Sequence, residues 1–279
     1  MEKIKIITDS TSDLPVNIIK KYDIEVLPLI VNVEGKSYRD ELDINLIGLF
    51  KKMDNSSEFP TTSQVNPQRF MDCYKKYLDE GFKIISIHIS SKFSGTYQSA
   101  CIAKDTLQSQ DITIIDSLNV TSGLGILVIK AAKLKEKGYE VKKIEESILE
   151  TIPHVKSALV FDTLEYLVKG GRLSKTAGII GSILDIKLIL EIKDGELVVI
   201  DKVRGSRKAV RIILEYLSKK NMKKDDSAVL VHAKNKDVLE ILRRELQLKV
   251  DGLIECTVGC VVGIHAGPRA CAIFFVEDY

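Results

Sequence analysis

The sequence predicts an α/β protein of two domains. The first is a three-layer domain on a parallel sheet and the second a mixed-sheet α+β domain. Three observations predict this. Apolar runs alternate with helical periods through the first half, as strand–helix–strand units require. The second half breaks that alternation with a hairpin signal, Lys193-Asp194-Gly195. At 279 residues the chain is long for one core and comfortable for two.

The elements follow in order. Residues 3–8 (KIKIIT) read as a strand ended by the turn-forming run 9–13. Residues 24–32 (IEVLPLIVN) read as a second strand, which Pro28 marks as an edge or a bulge. Residues 67–80 read as a helix: Pro67 suits its first turn, Phe70, Cys73, Tyr74, Tyr77 and Leu78 share one face, and Gly81 ends it. Residues 82–89 form a strand, 96–107 a helix, 112–115 a strand and 122–137 a helix closed by Gly138. In the second half, 157–161 is a strand, and 188–191 and 196–200 flank the hairpin turn. Residues 206–220 form an amphipathic helix, 228–232 a strand and 235–246 a helix, and strands at 253–258 and 271–276 close the chain. The domain boundary is placed near Pro153, giving domains 1–152 and 153–279. No linker shows in the composition, so the two are expected to pack tightly.

Composition excludes several classes. The 41 Lys and Arg against 39 Asp and Glu leave a net charge of +2, interspersed, without the concentrated basic face of a nucleic-acid binder. The five cysteines form no CxxC pair, and Cys256 and Cys260, four apart in an apolar segment, lack the further partners of a metal site, so buried thiols are expected, with no disulfide framework and no metal. No stretch reaches the ~18 uncharged apolar residues of a membrane span, and residues 1–10 have no signal-peptide pattern. A cytoplasmic location is expected.

Three loops concentrate hydroxyls beside helix starts: residues 8–15 (TDSTSDLP), 60–64 (PTTSQ) and 90–100 (SSKFSGTYQSA). The first and third follow strands of the parallel sheet, where ligands of α/β folds sit. A helix start adds unpaired N–H groups and a partial positive charge, so such a loop suits an anion. Gly95 beside Ser94 allows close backbone approach. Ser, Thr and Asp also favour these places as plain caps and turns. No Walker-type phosphate loop and no GxSxG elbow occurs. Gly123-x-Gly125 reads as helix packing and not as a dinucleotide fingerprint. In the second half, Arg172 sits on a glycine-rich turn (KGGRLSK), and His265 lies between Gly263 and Gly267. His88, His154 and His232 keep a structural reading. The apolar stretches 179–190 and 253–264 suit either core or the lining of a tunnel.

These motifs together resemble a known family. TDSTSDLP, PTTSQ, SSKFSGTYQSA, IIDS at residues 114–117, GGRLSK and IHAGP occur in that order over essentially the whole chain, and so the sequence resembles the DegV family of bacterial fatty-acid-binding proteins. The resemblance implies a long-chain fatty acid held between two α/β domains. It implies that the carboxylate is presented to a separate fatty-acid kinase, which feeds phospholipid synthesis. By motif position Thr62 and Ser94 would bond the carboxylate, with Thr61, Gly95, Arg172 and His265 beside it, and Arg204 (KVRGSRKA) would engage the kinase. Nucleotide and metal would belong to the kinase, so no cofactor is expected on this chain. Val65 departs from the family pattern, where many members have Pro, and Arg269 stands where Gly usually follows. Two other readings compete. A serine hydrolase would use Ser94 and His265 on acyl esters, and a sensor of small polar acids would need a polar cleft.

Overall fold

The computed structural model describes residues 2–56, 58–173, 186–223, 228–233, 237–248, 250 and 253–279. The chain starts with β1 (Ile4–Asp9), α1 (Val16–Tyr22), β2 (Glu25–Leu27), β3 (Ile30–Val33), β4 (Lys36–Arg39) and α2 (Leu46–Asn55). Next come β5 (Thr61–Ser63), α3 (Pro67–Asp79), β6 (Lys83–His88), α4 (Thr96–Leu107), β7 (Ile112–Asp116), α5 (Ser122–Glu136) and α6 (Val141–Thr151). The second half holds β8 (Val155–Phe161), α7 (Glu165–Lys169), β9 (Ile186–Lys193), β10 (Glu196–Arg204) and α8 (Ser206–Lys219). It ends with β11 (Val229–His232), α9 (Asp237–Gln247), β12 (Ile254–Thr257), α10 (Cys260–Ala266) and β13 (Cys271–Val276).

Three sheets result. The first is parallel, in the order β2-β1-β6-β7. The second is mixed and six-stranded, β10-β9-β8-β13-β11-β12, with only the β11–β12 pair parallel. The third is a small antiparallel sheet, β4-β3-β5. This is the α/β architecture that the alternation predicts, and the expected boundary falls in the short 3-10 turn Ile152–His154 between α6 and β8.

Strand β13 shows how the halves join. Successive side chains of a strand point to opposite faces. Ala272, Phe274 and Val276 therefore enter a core shared with Ile7, Phe70 and Ile84 of the first half. Cys271, Ile273 and Phe275 enter a separate core with Ile213 and Leu242 under α8 and α9. Helix α5 is buried from Ser122 to Ile129, as a helix between two sheets must be. Its glycines are packing residues. A Cβ at Gly123 would stand 2.9 Å from the Phe274 ring, and one at Gly125 would stand 2.8 Å from the Ser12 carbonyl oxygen.

A buried hydrogen-bond chain braces the first sheet. Tyr74 OH donates to Ser86 Oγ at 2.8 Å, Ser86 Oγ lies 2.7 Å from His88 Nε2, and His88 Nδ1 lies 3.0 Å from Asp9 Oδ2. The connectivity matches a Ser-His-Asp relay, yet Ser86, His88 and Asp9 are each 0% exposed. No substrate reaches them, and the structural reading of His88 holds.

Several local details differ from expectation. Pro28 splits the expected strand 24–32: β2 becomes an edge of the parallel sheet and β3 starts the small sheet. PTTSQ is not all loop, because Thr61–Ser63 pair with β3. The hairpin strands run longer than read, around a two-residue turn with φ 52° at Asp194 and 83° at Gly195, the left-handed geometry that tight hairpins favour. Of the stretch 179–190, residues 179–185 lie outside the described residues.

Candidate ligand-binding site

Three separate pieces of chain carry polar groups to one place. Thr62 sits in β5, opposite Val31 of β3. Ser94 and Gly95 open α4, where Gly95 provides no side-chain cap. His265 stands in the last turn of α10. A cavity of about 380 Å³ lies between the halves and is lined by Thr62, Ser63, Gln64, Ser94, Gly95, Thr121, Arg172 and His265 together with apolar residues of both halves. The apolar part consists of Leu29, Ile89, Phe93, Val120, Leu159, Phe161, Leu167, Leu197, Val261, Val262 and Ala266. The size is that of an ordinary small-molecule site.

The polar groups are tied to one another. Thr62 Oγ1 lies 3.0 Å from His265 Nε2. Among the described residues His265 Nδ1 is buried without a hydrogen-bond partner, against Gly170, where a Cβ would come within 2.1 Å of it. An orphaned acceptor costs less than an orphaned N–H, so the proton belongs on Nε2, which donates to Thr62. The Thr62 hydroxyl proton is then free for a ligand. Burial, helped by the Arg172 cation, pushes the His265 pKa down to about 4. The imidazole is neutral near pH 7.

Ser94 Oγ accepts from Thr96 N–H at 3.3 Å and lies 2.9 Å from Thr96 Oγ1. Gln64 Nε2 donates to Ser99 Oγ at 2.8 Å, crossing over Gly95, where a Cβ would stand 2.2 Å from Gln64 Oε1. The close approach that glycine permits is made by Gln64. Arg172 donates from Nε to the Phe93 carbonyl at 3.3 Å and from Nη1 to the Gly170 carbonyl at 2.6 Å, which ties the second half to the Ser94 loop. No Asp or Glu lines the cavity among the described residues, and Arg172 brings a positive charge. The field favours an anion.

Ser94 and His265 form no catalytic relay. His265 Nε2 faces Thr62, and among the described residues its Nδ1 has no orienting carboxylate. A hydrolase needs the nucleophile on the base and an acid behind the base.

Five sequence-derived residues line the cavity: Thr62, Ser94, Gly95, Arg172 and His265. Thr61, the first residue of β5, does not. Arg204 ends β10 outside the lining. The TDSTSDLP loop contributes nothing to this cavity. Three of its hydroxyls are spent internally, with Thr8 on the Ile87 carbonyl, Ser10 on Asp40 and Thr11 on Asp9. It borders a different hollow of about 760 Å³ with Asp13, Asp40 and Glu41. Arg269 is absent from the lining too. Its guanidinium pairs with Asp162 at 2.8 Å and Asp237 at 3.2 Å, and its φ of 74° is one that glycine adopts without strain. Val65 is fully buried in the shared core. Thr121 escaped the sequence reading, and the only signal for it was a hydroxyl directly ahead of α5.

A family model described as "Uncharacterised protein, DegV family" matches residues 3–278. The chain belongs to the DegV family. A DegV domain-containing protein of Clostridium acetobutylicum is 61% identical over 279 residues, covering 100% of both chains. Among solved structures, a fatty-acid-binding DegV family protein from Thermus thermophilus matches with a TM-score of 0.93 and 30% identity, over 99% of this chain and 100% of that one. DegV of Bacillus subtilis, a fatty acid binding protein, matches with a TM-score of 0.86 and 28% identity over 100% of both chains. The DegV fold is thus shared along its whole length. Among the described residues, no helix of this family member is long and apolar enough to cross a membrane.

Proposed function

We propose that the chain binds one long-chain fatty acid in the cavity between its halves and presents the carboxylate to a separate fatty-acid kinase. The observation that carries this reading is the lining itself. Eleven of its nineteen residues are apolar, none is acidic, and hydroxyls, a neutral imidazole and a guanidinium gather beside them. That is the complement of an amphiphile with an anionic head. The fatty-acid binding of the similar DegV structures supports the same reading.

The energetics assign separate tasks to the two ends. Burying ~15 methylenes at ~0.8 kcal/mol each gives a gross drive of about 12 kcal/mol. A hydrogen bond to a charged group adds about 1.5–3 kcal/mol. The tail sets affinity, and Thr62 and Ser94 set which end faces the opening. Thr62 offers its hydroxyl proton to one carboxylate oxygen because His265 already donates to Thr62 Oγ1. The bound acid has no guanidinium clamped across both oxygens, since Arg172 is committed to two backbone carbonyls. One oxygen stays available as the nucleophile in phosphoryl transfer by the kinase. Arg204, at the end of edge strand β10, is the proposed contact with that partner.

The double variant Thr62→Ala, Ser94→Ala tests this. Calorimetric titration with palmitate should show weaker binding, and turnover with a purified fatty-acid kinase should be lost. Unchanged binding and turnover would refute the head-group assignment. The hydrolase alternative predicts labelling of Ser94 by a fluorophosphonate probe, and no labelling is expected.

A further inference from the structure

We propose that Asp40, seconded by Asp13, is a positioning residue that fixes His265 in the cavity by clamping the start of α10. Only the binding arm of its test rests on the fatty-acid reading. The clamp joins the two halves. Cys260 N–H donates to Asp40 Oδ1 at 2.8 Å, and Val261 N–H donates to the same oxygen at 3.4 Å. Gly259 N–H donates to Asp13 Oδ1 at 2.8 Å. These are opening amides of a helix, which no helical turn can satisfy. Gly259 gives no side-chain cap, so carboxylates 220 and 246 residues away supply the acceptors. A Cβ at position 259 would stand 3.1 Å from Asp13 Oδ1 and 3.3 Å from both Asp40 oxygens. Glycine lets both carboxylates close on the amides.

Asp40 also grips the other side of the Thr62–His265 pair. Its Oδ2 accepts from Ser10 Oγ at 2.7 Å, Ser10 Oγ accepts from Leu29 N–H at 3.1 Å, and Asp40 N–H donates to the Leu29 carbonyl at 3.0 Å. Leu29 lines the cavity directly ahead of β3, and β3 holds Thr62 through the Val31–Thr62 register. One carboxylate, 1% exposed, thus ties α10, which carries His265, to the start of β3, whose neighbouring strand β5 carries Thr62. Helix α10 has seven residues, less than two turns. A displacement at Cys260 therefore carries through to His265, and a 3.0 Å hydrogen bond tolerates only a few tenths of an ångström.

A metal ion does not explain this cluster. Asp40, Glu41 and Cys260 bring possible ligand atoms within 4.8 Å of one another. Yet the Asp40 oxygens accept N–H and O–H donors, whose positive ends occupy the place of a cation. The Cys260 thiol is turned toward the Ile44 carbonyl at 3.3 Å.

The test is imidazole ¹⁵N NMR of the ligand-free chain, paired with palmitate titration. Asp40→Ala should shift the His265 ring resonances and weaken binding about tenfold or more, whereas Asp40→Asn, which keeps an acceptor oxygen for the amides, should restore both to within about threefold of the parent. Asp13→Ala removes one of the three amide bonds and should give a smaller shift of the same sense. Ile213→Ala, in the core under α8, should lower stability and leave the His265 resonances in place. Parent-like His265 resonances in Asp40→Ala would overturn the proposal. So would an equal shift in Ile213→Ala. If Asp40→Ala does not fold, Asp13→Ala decides, and no shift there overturns it. If the parent itself binds no palmitate, the fatty-acid reading fails, and the resonances alone judge the clamp.

Discussion

His265 shows what burial does to a single residue of this site. Its pKa falls from 6.5 to about 4, so the folded state holds it neutral where an unfolded chain would protonate it. The stability this contributes is complete above pH 6.5 and is lost as the pH falls toward 4, on the order of 3 kcal/mol over the window. Asp13 and Asp40 act with the opposite sign. Burial raises their pKa values, and their contribution fades as the pH rises. The difference in melting temperature between the parent and His265→Gln cancels the carboxylates and isolates the histidine. That difference should shrink as the pH drops from 6.5 to 4, and a flat difference would show that His265 is not buried neutral. At this scale the sequence revealed the residues with local signatures. Ser94 beside a glycine at a helix start and His265 between glycines stood out. Asp40 and Thr121 did not, because their roles come from partners brought by the fold: Asp40 meets amides 220 residues away.

At the scale of elements, α5 is the piece on which both halves rest. Its Gly125 has backbone on the other side, with the Ser12 carbonyl 2.8 Å from where a Cβ would be. A carbonyl cannot rotate away as a side chain can, so Gly125→Ala must push α5 off the first sheet. It should cost about 1–3 kcal/mol in urea unfolding, as overpacking does. A cost near zero would mean that α5 slides freely between the sheets. This helix was legible beforehand, with its length, closing Gly138 and packing glycines, since all are local patterns. The small sheet was not. Its strands have three or four residues, Thr61–Ser63 carries no apolar alternation, and its pairing spans about thirty residues of sequence. Helix α10 was missed because a seven-residue, mostly apolar segment flanked by glycines looks the same as strand or loop.

At the scale of the molecule, the proposed function depends on the halves meeting around a space instead of filling it. The shared core runs from Phe70 of the first half to Phe274 of the second, and the cavity interrupts it where Thr62, His265 and Arg172 gather. The alternation of strands and helices and the hairpin signal foretold the architecture. The apolar lining of the seam was beyond the sequence, because a lining leucine and a core leucine read alike: Leu159 and Phe161 both line the cavity and belong to the core. Native mass spectrometry of the purified chain, with the released ligand weighed separately, tests the central claim most directly. One long-chain fatty acid per chain, displaced by added palmitate, is the expected result. A chain that carries no lipid and takes up none on addition, or one that carries a short polar acid instead, would contradict it.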